Sequence, residues 1–349
     1  MATTTALHEN KENPNDSTPS KIVEAFGLRK CPKLVEQCQA EDIVVRVNAL
    51  SVLCDEFLNP SSIRECCKAN AVQVLSAMIN HTDYLCRFRS SKALALAAED
   101  ANGLASIIET GAIPTILTGI ADPSQEVRAN VIQCMYHCSR TAAGVDAVVA
   151  AGTVSKFVKI VSSEEDGLKP RLLVTIESGC KTEEGLAACL ATGGVQVVVD
   201  LLGNSTEEVA AQAAKSLGFL CFSETAKEQA IGFGAIKQLV SQLAVRSRDL
   251  RVACTTALMA ITSTDEGKRQ MADCGGATAV ATVLGDQDLI VKMNALKVIA
   301  NIAVHPVARK ELLEHESCAS MMTKMAGADG DKRLQRHAKI ALDAVQWRP

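Results

Sequence analysis

Between Gly111 and Gly152 the apolar positions fall into three stripes separated by short polar breaks. The first runs over 113–120 and is ended by Ala121-Asp122-Pro123. Ser124 then opens a longer stretch in which Val127, Val131, Ile132 and Met135 recur at the i, i+4 spacing of an amphipathic helix. A third stretch covers 142–150 and stops before Gly152, a residue suited to the left-handed backbone just past a helix end. The spacing predicts three helices in 41 residues.

The pattern repeats. Gly111, Gly152, Gly193, Gly234 and Gly275 stand 41 residues apart, each opening a similar apolar run. The same step backward reaches Asn70 and then Arg29, where Cys31-Pro32-Lys33-Leu34 resembles Ile113-Pro114-Thr115-Ile116; forward, it reaches Glu316. Eight units are therefore expected, starting near 29, 70, 111, 152, 193, 234, 275 and 316. A second column keeps the register: Arg46, Arg87, Arg128, Lys169, Arg251, Lys292 and Arg333, with Ala210 as the one break. Four residues ahead stand Asp42, Asp83, Ser124, Glu165, Thr206, Ser247, Asp288 and Asp329, most of them good N-caps for a long helix. The fold class this predicts is all-α, an α-solenoid (superhelix) of about eight armadillo- or HEAT-like repeats spanning 21–349. Three helices with a glycine break resemble armadillo more than two-helix HEAT repeats. Helices packed roughly 8–10 Å apart would make a curved rod on the order of 80 Å long. The last unit is expected to differ, with 338–345 about two residues out of register and Trp347 covering the exposed end. Residues 1–20 are polar, carry Pro14 and Pro19, and are expected to be disordered.

Composition narrows the function. Of 349 residues, 48% are hydrophobic but only 3% aromatic, so the core must come from closely packed aliphatics and small residues. A net charge of −4 argues against general nucleic-acid affinity. The fourteen cysteines are expected to be reduced thiols, since no secretory apolar region is seen near Met1 and Leu7. The densest apolar stretch, 195–202, is broken by Gln196 and Asp200 and is too short to span a bilayer. A soluble intracellular protein without membrane or nucleic-acid partners is the expectation.

No nucleophile elbow, phosphate loop or metalloprotease motif is present, and the glycine pairs at 193–194 and 275–276 fall on repeat boundaries. An enzyme is not expected, nor a cofactor or small-molecule substrate. Cys134, His137 and Cys138 share one helical turn, but a structural zinc wants four ligands, so they and Cys66-Cys67 read as core thiols without metal. The basic column reads either as a ladder for an acidic peptide or RNA, or as ion pairs with a carboxylate four residues earlier or in the adjacent unit. Such i, i+4 pairs contribute about 0.2–0.5 kcal/mol each, and the structural reading is preferred. Binding is better sought near the end of the long helix. There the column reads Asp55, Leu96, His137, Ser178, Phe219, Ala260 and Asn301, with Ser51, Lys92, Gln133, Val174, Lys215, Thr256 and Lys297 four residues earlier. Importin-type armadillo proteins carry a repeated Asn with a Trp four residues before it; one Asn and no Trp stand here, against a general nuclear-import receptor. The candidate partner-binding residues are Lys92, Gln133, His137, Lys215, Lys297 and Asn301.

The start of the array is more specific. Ala25-Phe26-Gly27-x-Arg29-x-x-Pro32-Lys33-Leu34 is followed by Glu41-Asp42, Arg46, Ala49-Leu50, Leu53-Cys54-Asp55 and Pro60. This gapless run of 36 residues resembles the N-terminal part of the radial spoke head protein 14 family, armadillo-repeat subunits of ciliary radial spokes. Beyond it, repeat number and total length agree while the letters match weakly. The resemblance implies a non-enzymatic scaffold in the T-shaped spoke that links doublet microtubule to central pair in the axoneme of cilia and flagella. Its partners would be other spoke subunits of a large cytoskeletal complex supporting motility. It also places Phe26 and Arg29 at the entrance to the first unit. They read there as a docking lip for another subunit, or as an N-terminal cap in which Phe26 covers the apolar end and Pro32 starts a helix. The alternative reading is a cytosolic armadillo adaptor that binds a cargo or signalling peptide.

Overall fold

A computed structural model describes residues 27–327 and 330–347, apart from the side chain of Leu28. The tail 1–20, Phe26 and Asp329 lie outside the described residues. Within them are 23 α-helices, three short 3-10 helices and no strand. No single described helix is long and apolar enough to cross a membrane. The chain divides into two compact units, one ending at Ala151 and one beginning at Gly152.

In the first unit the long helices Ile43–Glu56, Tyr84–Glu99 and Gln125–Cys138 pack side by side, each against the next. In the second unit Lys169–Gly179, Glu207–Leu220, Arg248–Ile261, Leu289–Ile302 and Lys332–Gln346 do the same. Shorter helices fill the back of each row, among them Ala142–Ala150 over the stretch read from the sequence. The core is aliphatic, as the composition requires: Leu50, Leu94, Ile132, Leu217 and Leu258 are fully buried, with Phe157 the largest side chain among them. Small residues bring the rows close together. A Cβ on Gly218 would lie 3.4 Å from the Ala257 backbone on the next long helix.

The glycine register has a backbone cause. Gly111, Gly152, Gly193, Gly234 and Gly275 take φ of +65° to +77°, and Asn70, one step earlier, takes +66°. Left-handed backbone costs an L-residue roughly 1–2 kcal/mol, least for Asn. Asn70 is the one non-glycine residue with positive φ among the described residues. The step lands on ordinary backbone at Arg29 (φ −88°), where Gly27 two residues earlier carries the positive φ of +58° instead.

The caps largely follow the predicted column. Asp42, Asp83, Ser124, Ser247 and Asp288 each accept a backbone N–H in the first turn of the long helix. Glu165 does not. Pro170 has no N–H and is tolerated only in a first turn, so this helix begins at Lys169 behind Leu168 and is 11 residues long against 14 in its neighbours. Thr206 stands at its cap position but spends its hydroxyl on Asp166 Oδ2 at 2.5 Å. In the last unit Asp331 caps the helix, two residues past the register. Trp347 departs from its expected role as a lid: it is 56% exposed, with the Arg309 guanidinium 5.1 Å from its ring centroid.

Candidate functional site

The basic column was the first candidate surface, and the structure commits it to internal contacts. Arg46, Arg87, Arg128 and Arg251 donate to carbonyls of the loop ahead of their own helix: Ala40, His81 and Thr82, Asp122 and Pro123, and Leu243 respectively. Among the described residues the expected pairing with the carboxylate four residues earlier does not form, because Asp42, Asp83 and Asp288 hold orphan N–H groups of the helix start, whereas the other expected pairing, with the adjacent unit, does. The pairing runs forward, 35 residues on. Arg87 Nε meets Asp122 Oδ2 at 2.6 Å, Arg251 Nη1 meets Asp286 Oδ2 at 2.7 Å, and Arg46 Nη1 meets His81 Nε2 at 2.6 Å.

These partners form a column that the sequence reading missed: His81, Asp122, Asn204 and Asp286, each two residues before a long-helix cap. Each side chain also accepts the N–H of that cap residue, Asp83, Ser124, Thr206 or Asp288. One side chain thus clamps the start of one long helix, and in three of the four cases it also ties the previous long helix to it. Asp166 serves the irregular fourth repeat differently. It accepts from Lys169, Thr206 and Asn204, and these donors hold its carboxyl down at about 2. A carboxyl depressed below its ordinary value near 3.8 stabilises the fold above that value and loses the contribution as pH falls toward 2. The urea midpoint of Asp166→Asn is therefore expected to fall less between pH 5 and pH 2.5 than that of the parent chain.

The free face lies further along the long helices. In the first unit Lys92 is exposed on Tyr84–Glu99, while Gln133 and His137 sit one turn apart on Gln125–Cys138. Gln133 Nε2 and His137 Nε2 are 2.5 Å apart, and Glu99 Oε1 lies 3.5 Å and 3.3 Å from them. Glu99 is the third member of this cluster. Cys134 and Cys138 turn into the core instead, and burial pushes the Cys38, Cys221 and Cys254 thiols up to about 12, so they pack as neutral groups.

In the second unit Lys215 is exposed and Lys297 half-buried at the same helical position two repeats apart. Asn301 is committed: its amide donates to Met259 O and Thr262 Oγ1 of the preceding repeat. Lys297 instead faces His337, whose pKa is lowered by burial and by the charges of Lys297 and Arg336. Two apolar residues complete this face. Phe222 (82% exposed) packs edge-on against Phe219 at 6.2 Å, and Val304 (65% exposed) stands two repeats further along. Val304 also lines an open groove of roughly 650 Å³ with Ala303, Pro306, Arg309, Asp343, Ala344 and Trp347. Arg29 is exposed in the turn Gly27–Arg29, beside in sequence the residues Gly27, Lys30 and Pro32 that line a smaller groove of roughly 440 Å³.

No family model matches the chain. Solved structures do. An engineered protein superposes with a TM-score of 0.82 at 23% identity, over 91% of this chain and 79% of its own. The designed armadillo repeat protein YIII(Dq)4CqI gives 0.61 at 20% identity, over 67% of this chain and 100% of its own. The chain has an all-α solenoid fold like that of the designed armadillo-repeat proteins. A second designed armadillo repeat protein, YIII(Dq.V1)4CPAF in complex with the peptide (KR)4, gives 0.60 at 20% identity over 67% of this chain and 99% of its own. At such identities the likeness is one of fold, and the armadillo framework itself says only that the long-helix rows present side chains at a fixed register.

Proposed function

We propose that this chain is a non-enzymatic scaffold that grips segments of partner proteins on the faces of its long helices, as a subunit of the radial spoke of motile cilia or flagella. The carrying observation is the division of labour in each row. The Arg–Asp clamps and the core hold the repeats together, while Lys92 and Lys215 stay exposed and the Gln133–His137 pair and Lys297 stay partly exposed further along the long helices. A designed protein of the same fold is in complex with a peptide, which supports the gripping role. The run from Ala25 to Pro60 supports the spoke assignment through its resemblance to the radial spoke head protein 14 family, which implies that Phe26 and Arg29 stand at the entrance to the first unit, as an N-terminal cap that is compatible with docking another spoke subunit. The partners are then other spoke proteins and the location the axoneme. The test is fractionation of demembranated cilia. Retention through high salt together with radial spoke chains is expected; release into the detergent-soluble fraction would point to the cytosolic adaptor.

A further inference from the structure

We infer that the long-helix face of the second unit binds an extended acidic segment of a partner protein, anchored by one bulky apolar side chain in the groove beside Trp347. This rests on the scaffold reading and names the chemistry of its partner. Lys215 and Lys297 point the same way at equivalent positions, and no carboxylate of the described residues pairs with either. Arg336 extends the positive field past Lys297, and the two cations together with burial keep His337 neutral. Of the acidic side chains on these long helices, Glu207, Glu208 and Asp249 stand in first turns away from this column, and Asp343 stands on the rim of the groove beside Trp347. Glu177 is occupied by Gln212 and Ser216. The column therefore presents two lysines with no carboxylate partner among the described residues, bordered by apolar surface from Phe222, Val304 and Trp347.

Spacing refines the occupant. Two repeat steps at roughly 8–10 Å each separate Lys215 from Lys297 by about 16–20 Å. An extended strand rises about 3.3 Å per residue, so two carboxylates five or six residues apart would meet both lysines. The groove of roughly 650 Å³ lies at the Lys297 end and is lined by Ala303, Val304, Pro306, Ala344 and Trp347 with Arg309 and Asp343 at its charged rim, so the apolar anchor lies beyond the acid that meets Lys297. A nucleic-acid strand fits less well, because the overall charge of −4 opposes it. The charge preference is the reverse of what a (KR)4 peptide demands.

The test is selection from a library of random 12-residue peptides on the full chain, followed by titration of the winners by fluorescence anisotropy. Expected winners carry two Asp or Glu residues five or six apart and a bulky apolar residue. Their affinity should fall at least tenfold in Lys215→Glu/Lys297→Glu and at least fivefold in Trp347→Ala, with unchanged far-ultraviolet circular dichroism. Binding of (KR)4 or of oligo(U) RNA with equal strength, winners insensitive to the charge reversal, or no enrichment would each overturn the inference. Basic or neutral winners lost on substitution of Lys92 or Gln133 would overturn it while leaving the scaffold reading in place. A chain that enriches nothing and leaves the axoneme with detergent loses both.

Discussion

Gly144→Ala is expected to destabilise the first unit by about 2–3 kcal/mol, the upper range for forcing a methyl into a packed site. A Cβ there would lie 1.9 Å from the Cys138 carbonyl oxygen and 2.8 Å from Thr141 Oγ1. Neither atom is free to retreat. Thr141 caps the helix Ala142–Ala150 by accepting the Gly144 N–H, and the Thr141 N–H donates back to Cys138 O. Gly193→Ala is the comparison. Its backbone is left-handed at φ +77°, but nothing lies within 4 Å of the added carbon, so only the conformational cost of roughly 1–2 kcal/mol applies. Urea denaturation of the two variants should rank them in that order. A Gly144→Ala chain as stable as the parent would remove the close approach from the account of how long and short helices meet.

Arg87→Ala should cost about 3 kcal/mol, near the lower end for stripping one member from a buried ion pair. The Asp122 side chain is 5% exposed and that of Arg87 16%, so the truncation leaves a carboxylate with little water to replace its partner. It also orphans the carbonyls of His81 and Thr82 that the guanidinium serves. A double-mutant cycle with Asp122→Ala would separate the terms, because the second truncation should cost much less once the first is made. Peptide capture by the second unit is expected to survive in Arg87→Ala. Loss of capture with unchanged stability would return the basic column to the binding surface.

The architecture was legible because the 41-residue glycines do one physical job, left-handed backbone, that few other residues do cheaply. Two further columns of the same period escaped notice. Asn59, Asp100, Thr141, Thr182, Ser223 and Thr264 cap the third helices, and Gly103, Gly144, Gly185 and Gly267 let those helices approach the preceding carbonyls. Their purpose depends on how closely the chain doubles back after each long helix, which no local spacing reveals. Of the two expected ion pairings, the one with the adjacent unit forms at Arg87–Asp122 and Arg251–Asp286, and the failure of the four-residue one has the same root. An acid four residues before a base looks like a partner until the unbonded N–H groups of the helix start are counted. For the binding face, register alone picked out Lys92, Lys215 and Lys297 near the ends of the long helices, of which the first two are exposed and the third half-buried. It could not show that the Asn301 amide is consumed by Met259 O, a contact 42 residues away in sequence. Phe222 and Val304 were missed because their column lies one turn beyond the two that were compared.

The buried thiols have a practical consequence. Cys134 and Cys138 in one unit, and Cys189 and Cys254 in the other, have no solvent exposure. Alkylation at those sulfurs can proceed only when the surrounding helices part. Timed labelling read by mass spectrometry would turn the native cysteines into clocks, recording which half of the molecule breathes first.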